Sequence, residues 1–252
     1  MSCDRSARTN IYEAADSSYL QLTDNGSTLL LRTTDGMQMN YSKYQNEEWH
    51  CTQIKDRNGN YLSVSYDWMG HITNITDTLT RIINFNYDGN ANLISITQSW
   101  NGQTHTWATF GWTSLTMASS FSGVNVSGAP NGMVIPAITM VGFDDGTYTK
   151  FQYNGALQAT RITSYASDSN PATDNHPRNY TAYDYDNSTS DCPRINDARV
   201  WGEYWSGING VPTEVITQFS LPGDGSHQMT SPDGTIYKEF YGTGWKKGLV
   251  KL

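Results

Sequence analysis

Residues 56–76 read DRNGNYLSVSYDWMGHITNIT and residues 77–97 read DTLTRIINFNYDGNANLISIT. Set against each other at an offset of 21, the two blocks match in residue type. Asp56 falls on Asp77, Val64 on Phe85, Tyr66-Asp67 on Tyr87-Asp88, Ile72 on Leu93, and Ile75-Thr76 on Ile96-Thr97. A repeat of this length fixes the architecture before any single residue is interpreted. Within each block Leu62, Val64 and Tyr66, or Ile83, Phe85 and Tyr87, alternate with Ser or Asn. Strand side chains point to opposite faces in turn, so each triplet is expected to line one buried face. Asn58-Gly59 and the segment from Asp67 to Gly70 bracket the first strand with turn formers. Glycine supplies positive φ without steric cost, and Asp or Asn bonds its own local backbone. One block is therefore about one β-hairpin. A lone hairpin cannot bury its apolar face, so it needs its neighbours.

Working outward, fainter copies follow. Asp145-Gly146 leads to Tyr153 and Asp233-Gly234 leads to Tyr241, the aromatic standing seven residues past the glycine as Tyr66 does past Gly59. The spacing suggests a degenerate repeat with insertions across most of the chain. Before the blocks, Tyr19–Leu22, Thr28–Arg32 and the alternating Met37, Met39 and Tyr41 read as a β-meander with turns at Asn25-Gly26 and Asp35-Gly36. A short helical turn is expected around Tyr12 to Ala15. After the blocks, strands are expected over Thr104–Trp112, Ile135–Tyr153, 154–164, Tyr180–Asp186, Val200–Trp205, Glu214–Leu221 and Thr235–Tyr241. Residues 117–132, 166–179 and Asn187–Arg194 read as loops. The organisation expected is a meander over 1–48, clear repeats over 49–112, and degenerate hairpins with loop insertions over 113–252, all in one continuous unit.

The motif Tyr66-Asp67, a short turn, Gly70, Ile72 and a Thr/Asp-rich exit resembles the YD repeat of RHS proteins, and Tyr87-Asp88 through Leu93 resembles a second copy. The second copy departs in carrying Ala91 where the repeat has Gly. The motif residues carried by the resemblance are Tyr66, Asp67, Gly70, Ile72, Tyr87, Asp88 and Leu93, with Gly59, Gly146, Tyr153, Gly234 and Tyr241 as their echoes. It implies an all-β fold of antiparallel hairpin repeats in a curved sheet, part of a hollow shell. In such proteins the shell encloses an effector of a bacterial toxin, or serves adhesion at animal cell surfaces. The implied role here is a non-catalytic scaffold, extracellular or at the cell surface. Its partners would be the rest of a longer RHS-type polypeptide, an enclosed effector, or copies of itself joined through open strand edges. The family's C-terminal Asp-Pro-x-Gly motif has no counterpart here, since Ser231-Pro232-Asp233-Gly234 has a different order.

The bulk properties agree with an all-β chain. The 252 residues are 37% hydrophobic and only 16% charged. There are 16 Tyr and 8 Trp, and aromatic residues suit a pleated, half-buried surface. This length suffices to bury a core. The net charge is −8, and no basic run exceeds Lys246-Lys247, so a nucleic-acid partner is disfavoured. No apolar run reaches membrane-spanning length. The first twenty residues lack the basic-then-apolar pattern of a signal peptide. Cys3, Cys51 and Cys192 make no disulfide framework.

Catalytic chemistry finds no motif. There is no Gly-x-Ser-x-Gly, His-Glu-x-x-His, P-loop or Cys-x-x-Cys, and no cofactor is implied. Asp184, Asp186, Ser188, Ser190 and Asp191 place oxygens at alternating positions but lack the glycine and glutamate of a helical calcium loop. They read as a polar loop. The alternative architecture is a β-propeller or β-sandwich that binds carbohydrate through exposed Trp and Tyr.

Overall fold

The computed structural model describes residues 3–5, 10–45, 48–118, 130–186, 194–205 and 213–242. Among them there are nineteen β-strands and no α-helix. Every strand pairing given by residue register is antiparallel. The chain divides into two compact units, 1–107 and 108–252.

The first unit is a meander in which each strand pairs with the next. It runs through β1 (Cys3–Arg5), β2 (Ile11–Ala14), β3 (Gln21–Asp24), β4 (Thr28–Arg32), β5 (Gln38–Lys43), β6 (Trp49–Lys55), β7 (Tyr61–Tyr66), β8 (Ile72–Asp77), β9 (Ile82–Tyr87) and β10 (Leu93–Trp100). The helical turn expected at Tyr12–Ala15 is instead strand β2, held by the pairs Ile11↔Thr23, Tyr12↔Leu22 and Glu13↔Gln21. Long-range pairing overrides a weak local preference in so short a stretch.

Register sorts the two faces of this unit. One apolar row crosses β2 to β7 as Tyr12, Leu22, Leu31, Met39, Ile54 and Leu62, each opposite the next. On the other face Ser65, Asn74, Asn84 and Thr97 form an uncharged polar row over β7 to β10. Asn86 Nδ2 donates there to Ser95 Oγ at 3.1 Å and Thr97 Oγ1 at 3.2 Å.

The strand β11 (Gln103–Thr116) crosses the division between the units. The second unit continues through β12 (Val134–Phe143), β13 (Tyr148–Tyr153), β14 (Ala159–Tyr165), β15 (Pro177–Asp186), β16 (Arg194–Gly202), β17 (Val215–Ser220), β18 (Ser226–Thr230) and β19 (Ile236–Phe240). Its corresponding row is Phe151, Ile162, Thr181, Val200 and Val215, apolar except for Thr181. The strand expected over 154–164 begins only at Ala159, because Asn154–Leu157 form a turn in which Leu157 takes φ +61°. The left-handed position holds Leu157 instead of a glycine, and the turn signal in the sequence is the Asn154-Gly155 pair two residues earlier.

The expectation of a buried core is not met. Among the described residues only Tyr148, Ala166 and Ala182 are buried hydrophobics, all in the second unit. Leu62, expected on a buried face, is 45% exposed, and Ile83, Phe85 and Tyr87 are half-buried. Half-buried side chains on a single sheet, not a two-layer interior, carry the apolar contacts.

Candidate functional site

The repeat motif resolves into two devices, a turn and a tyrosine lock. The turns come first. In the turn Asp67–Gly70 the Gly70 N–H donates to Asp67 O and the Asp67 N–H to His71 O. Asp67 Oδ1 accepts from the Met69 and His71 N–H groups, both at 2.9 Å. Asp56, Asp77 and Asp88 do the same in their own turns. The fourth residue is left-handed in each case, as Gly59 at φ +95°, Gly70 at +88°, Thr80 at +64° and Ala91 at +63°. Asp77 and Asp88 are held below the ordinary carboxylate value first by the side chains of Arg81 and Asn92, and Asp56 by Asn60. For Asp67, burial pushes upward, but its hydrogen bonds with His71 and Met69 outweigh it, so its value is also lowered. Gly146 and Gly234 occupy the same left-handed turn position. There the carboxylate has moved: Asp145 and Asp233, one residue before the glycine, accept from the Thr147 and Thr235 N–H groups.

The lock joins a tyrosine to a β-bulge. Pairing slips by one residue where Tyr66 meets Ile72, where Tyr87 meets Leu93, where Tyr153 meets Ala159 and where Tyr185 meets Ile195. The same slip sets Tyr41 against Cys51 and Trp112 against Ile138. In each case the extra residue lies on the second strand of the pair. A bulge breaks the ladder locally and leaves backbone groups to be satisfied elsewhere. At four of these bulges a tyrosine near the end of the following strand supplies the donor. Tyr66 OH donates to Cys51 O at 2.7 Å, Tyr87 OH to Ile72 O at 3.0 Å, Tyr153 OH to Ile138 O at 2.8 Å and Tyr185 OH to Ala159 O at 2.9 Å. Burial raises the pKa of all four hydroxyls, which keeps them protonated and donating. Ile72 is thus the bulge partner of Tyr66 and the acceptor for Tyr87, and Leu93 is the bulge partner of Tyr87. Tyr241 departs from the pattern: its hydroxyl donates to Glu239 Oε2 at 3.3 Å.

Sequence reasoning had no signal for Tyr41, Trp112 or Tyr185. Loops between them stretch the interval, and the Tyr185 bond spans 26 residues where the other three span 15.

The second unit carries an ion network that the first lacks among the described residues. Lys150 bridges to Asp174 at 2.8 Å, and Arg199 to Asp184 at 2.8 Å. The Arg161 guanidinium sits 3.6 Å over the Tyr180 ring, whose hydroxyl donates to Glu214 at 2.6 Å. His176 contacts Asp168 through Nδ1 at 2.5 Å and Glu203 through Nε2 at 2.8 Å. Glu203 first and Asp168 second raise the His176 pKa. Buried Tyr148 meets Ser169 Oγ at 2.8 Å and pins the 166–176 loop to the sheet.

No group of three or more metal-ligating side chains occurs among the described residues. Asp184 is engaged by Arg199, while residues 187–193 of the polar loop lie outside the described residues. Cys51 is free, and its Sγ–H reaches Gln53 O at 3.7 Å. Cys192 and the side chain of Cys3 lie outside the described residues. No helix among the described residues is long and apolar enough to cross a membrane.

No protein-family model matches the sequence, and no curated protein matches it. Solved structures do. A TcdB2-TccC3 structure without its hypervariable C-terminal region is 11% identical at TM-score 0.40, covering 92% of this chain and 12% of that one. A TcdB2-TccC3 structure is 10% identical at TM-score 0.38, covering 96% and 17%. The Photorhabdus luminescens Tc holotoxin pore is 10% identical at TM-score 0.35, covering 92% and 16%. The chain thus spans about a sixth or less of the proteins to which it is similar.

Proposed function

We propose that this chain is a non-catalytic scaffold, a segment of a YD-repeat sheet that works outside the cell or at its surface by enclosing or joining other polypeptides. The observation that carries the reading is the recurring lock, in which a tyrosine hydroxyl ties the bulge to the following strand at Cys51, Ile72, Ile138 and Ala159. Such a lock performs no chemistry. It lets hairpins be added in series, each stabilised by the one before it. A sheet of this kind has little interior and many exposed apolar groups, so its natural partners are further strands or an enclosed chain.

Deleting residues 67–87 tests this reading, because it joins Tyr66 to Asp88 and removes β8 and β9 as one repeat. A scaffold built of hairpins keeps its β-sheet circular dichroism and a cooperative unfolding transition after this deletion. Loss of both contradicts the proposal.

One observation favours a second reading, a carbohydrate-binding module. Trp100 stacks on His105 with centroids 3.4 Å apart, and Trp107 lies 5.8 Å from Trp100. Both tryptophans are about two-fifths exposed, and Trp107 Nε1 donates to Gln98 Oε1 at 3.3 Å. Aromatic faces beside amide groups suit sugar rings. A saturable change in tryptophan fluorescence on titration with polysaccharides, lost in Trp100→Ala, would establish it. No change would dismiss it.

A further inference from the structure

Five Asn-Gly pairs lie among the described residues, at Asn25, Asn58, Asn101, Asn131 and Asn154. The pair builds turns because glycine accepts positive φ. The same freedom makes asparagine there chemically labile. The backbone nitrogen of the glycine can attack the side-chain carbonyl carbon, and no Cβ on the glycine obstructs the approach. The attack needs a glycine N–H that is not already bonded and a carboxamide free to rotate onto it.

Four of the pairs lack one or the other. The Gly26 N–H donates to Asp24 Oδ1 at 2.7 Å, the Gly59 N–H to Asp56 O at 3.2 Å and the Gly132 N–H to Met117 O at 2.8 Å. Asn154 has its carboxamide held instead. Its Oδ1 accepts from the Ala156 and Gln158 N–H groups, both at 3.0 Å, and its Nδ2 donates to Gln158 Oε1 at 2.9 Å. Only Asn101-Gly102 has neither restraint: no hydrogen bond engages the Asn101 carboxamide or the Gly102 N–H among the described residues. Both residues are exposed, with φ at +52° and +73°. A Cβ placed on Gly102 would meet no atom within 4 Å, so the space around the pair is open.

We infer that Asn101 is a modification site, at which the folded chain loses its side-chain amide to water faster than at the other four pairs. The Gly102 nitrogen bonds to Asn101 Cγ, the Cγ–Nδ2 bond breaks, and ammonia leaves with the Gly102 proton. The succinimide ring so formed is opened by water. Attack at Cγ gives aspartate, and attack at the backbone carbonyl gives isoaspartate; nothing is oxidised or reduced. Either product sets a carboxylate next to Trp100, which stacks on His105. The stretch from Gly89 to Phe143 otherwise holds no Asp, Glu, Lys or Arg. The inference does not rest on the scaffold reading.

The test incubates the full chain at mildly alkaline pH, folded and in guanidinium chloride. Peptide mapping by mass spectrometry follows each pair through its gain of about 1 Da. In the folded chain Asn101 reacts at least about fivefold faster than each of the other four, the factor that one hydrogen bond's net free energy gives. In guanidinium chloride the five rates converge. In Asp24→Ala, which frees the Gly26 N–H, the Asn25 rate rises toward that of Asn101. A folded chain in which Asn101 stays intact, or in which any of the four keeps pace with it, overturns the inference. So does an order of rates that persists in guanidinium chloride, or an Asn25 rate unchanged in Asp24→Ala.

Discussion

The hairpins β7–β10 and the strands β13–β16 use one lock in two settings. In the first region Tyr66 and Tyr87 sit in near-identical blocks, each followed by an Asp-headed turn, and the polar face is an uncharged ladder of Ser, Asn and Thr. In the second, Tyr153 and Tyr185 keep the lock while the rest changes. The turn after Tyr153 is headed by Asn154 and has Leu157 at its left-handed position. The polar face carries Lys150, Arg161 and Arg199, and a loop is strapped across it. The tyrosine opposite a bulge is therefore the constant of the repeat. Turn residues and polar face are free to vary around it.

The largest test of this contrast lies in the strap. Tyr148 is 3% exposed and has no equally buried counterpart among the described residues of the first unit. Tyr148→Ala is expected to cost about 3–5 kcal/mol, read as a drop in the denaturant midpoint. The same change at half-buried Tyr66 should cost clearly less. Equal losses would erase the distinction between the two regions.

The turns separate next. At Gly70 a Cβ would lie 2.9 Å from His50 Cε1 with φ at +88°. Gly70→Ala should therefore cost about 1–3 kcal/mol in thermal unfolding. The converse changes, Thr80→Gly and Ala91→Gly, relieve left-handed strain and should gain less than about 1 kcal/mol each. A loss in either would mean that these turns are set by something other than φ.

Acid and alkali should loosen different regions. The depressed carboxylates Asp56, Asp67, Asp77 and Asp88 contribute stability above their unfolded value, near 3.8, that is lost as pH falls through their lower folded values. The raised His176 contributes stability that is fully present below the ordinary 6.5 and lost as pH rises through its higher folded value. Hydrogen exchange should show the amides of Met69, His71, Leu79 and Arg81 opening in acid. Those of Ala156 and Gln158, which bond neutral Asn154, should not respond in that range. The 166–176 loop should loosen on the alkaline side. One shared transition for all of these would contradict the separation.

The sequence showed the alternation in Leu62–Tyr66 and Ile83–Tyr87 and the Asp-headed turns, because both are local and written within one block of 21 residues. The all-β antiparallel hairpin class followed from them. The bulges were not legible. A bulge is one extra residue on a strand, such as Thr73 between Ile72 and Asn74, and any threonine in a strand looks the same in sequence. The His176–Glu203 contact joins residues 27 apart across two loops and leaves no local trace. The expectation of a core failed for a different reason: alternation shows that one face is apolar, not that anything covers it.

The lock itself can be tested by removing single oxygens. Tyr66→Phe, Tyr87→Phe, Tyr153→Phe and Tyr185→Phe would be compared with Tyr183→Phe, whose hydroxyl makes no hydrogen bond among the described residues, by equilibrium denaturation. Each of the four is expected to lose about 0.5–1.5 kcal/mol, with the two units equally affected and the control unchanged within about 0.3 kcal/mol. Losses confined to one unit, or no greater than the control, would show that the tyrosine–bulge lock is not what repeats along this chain.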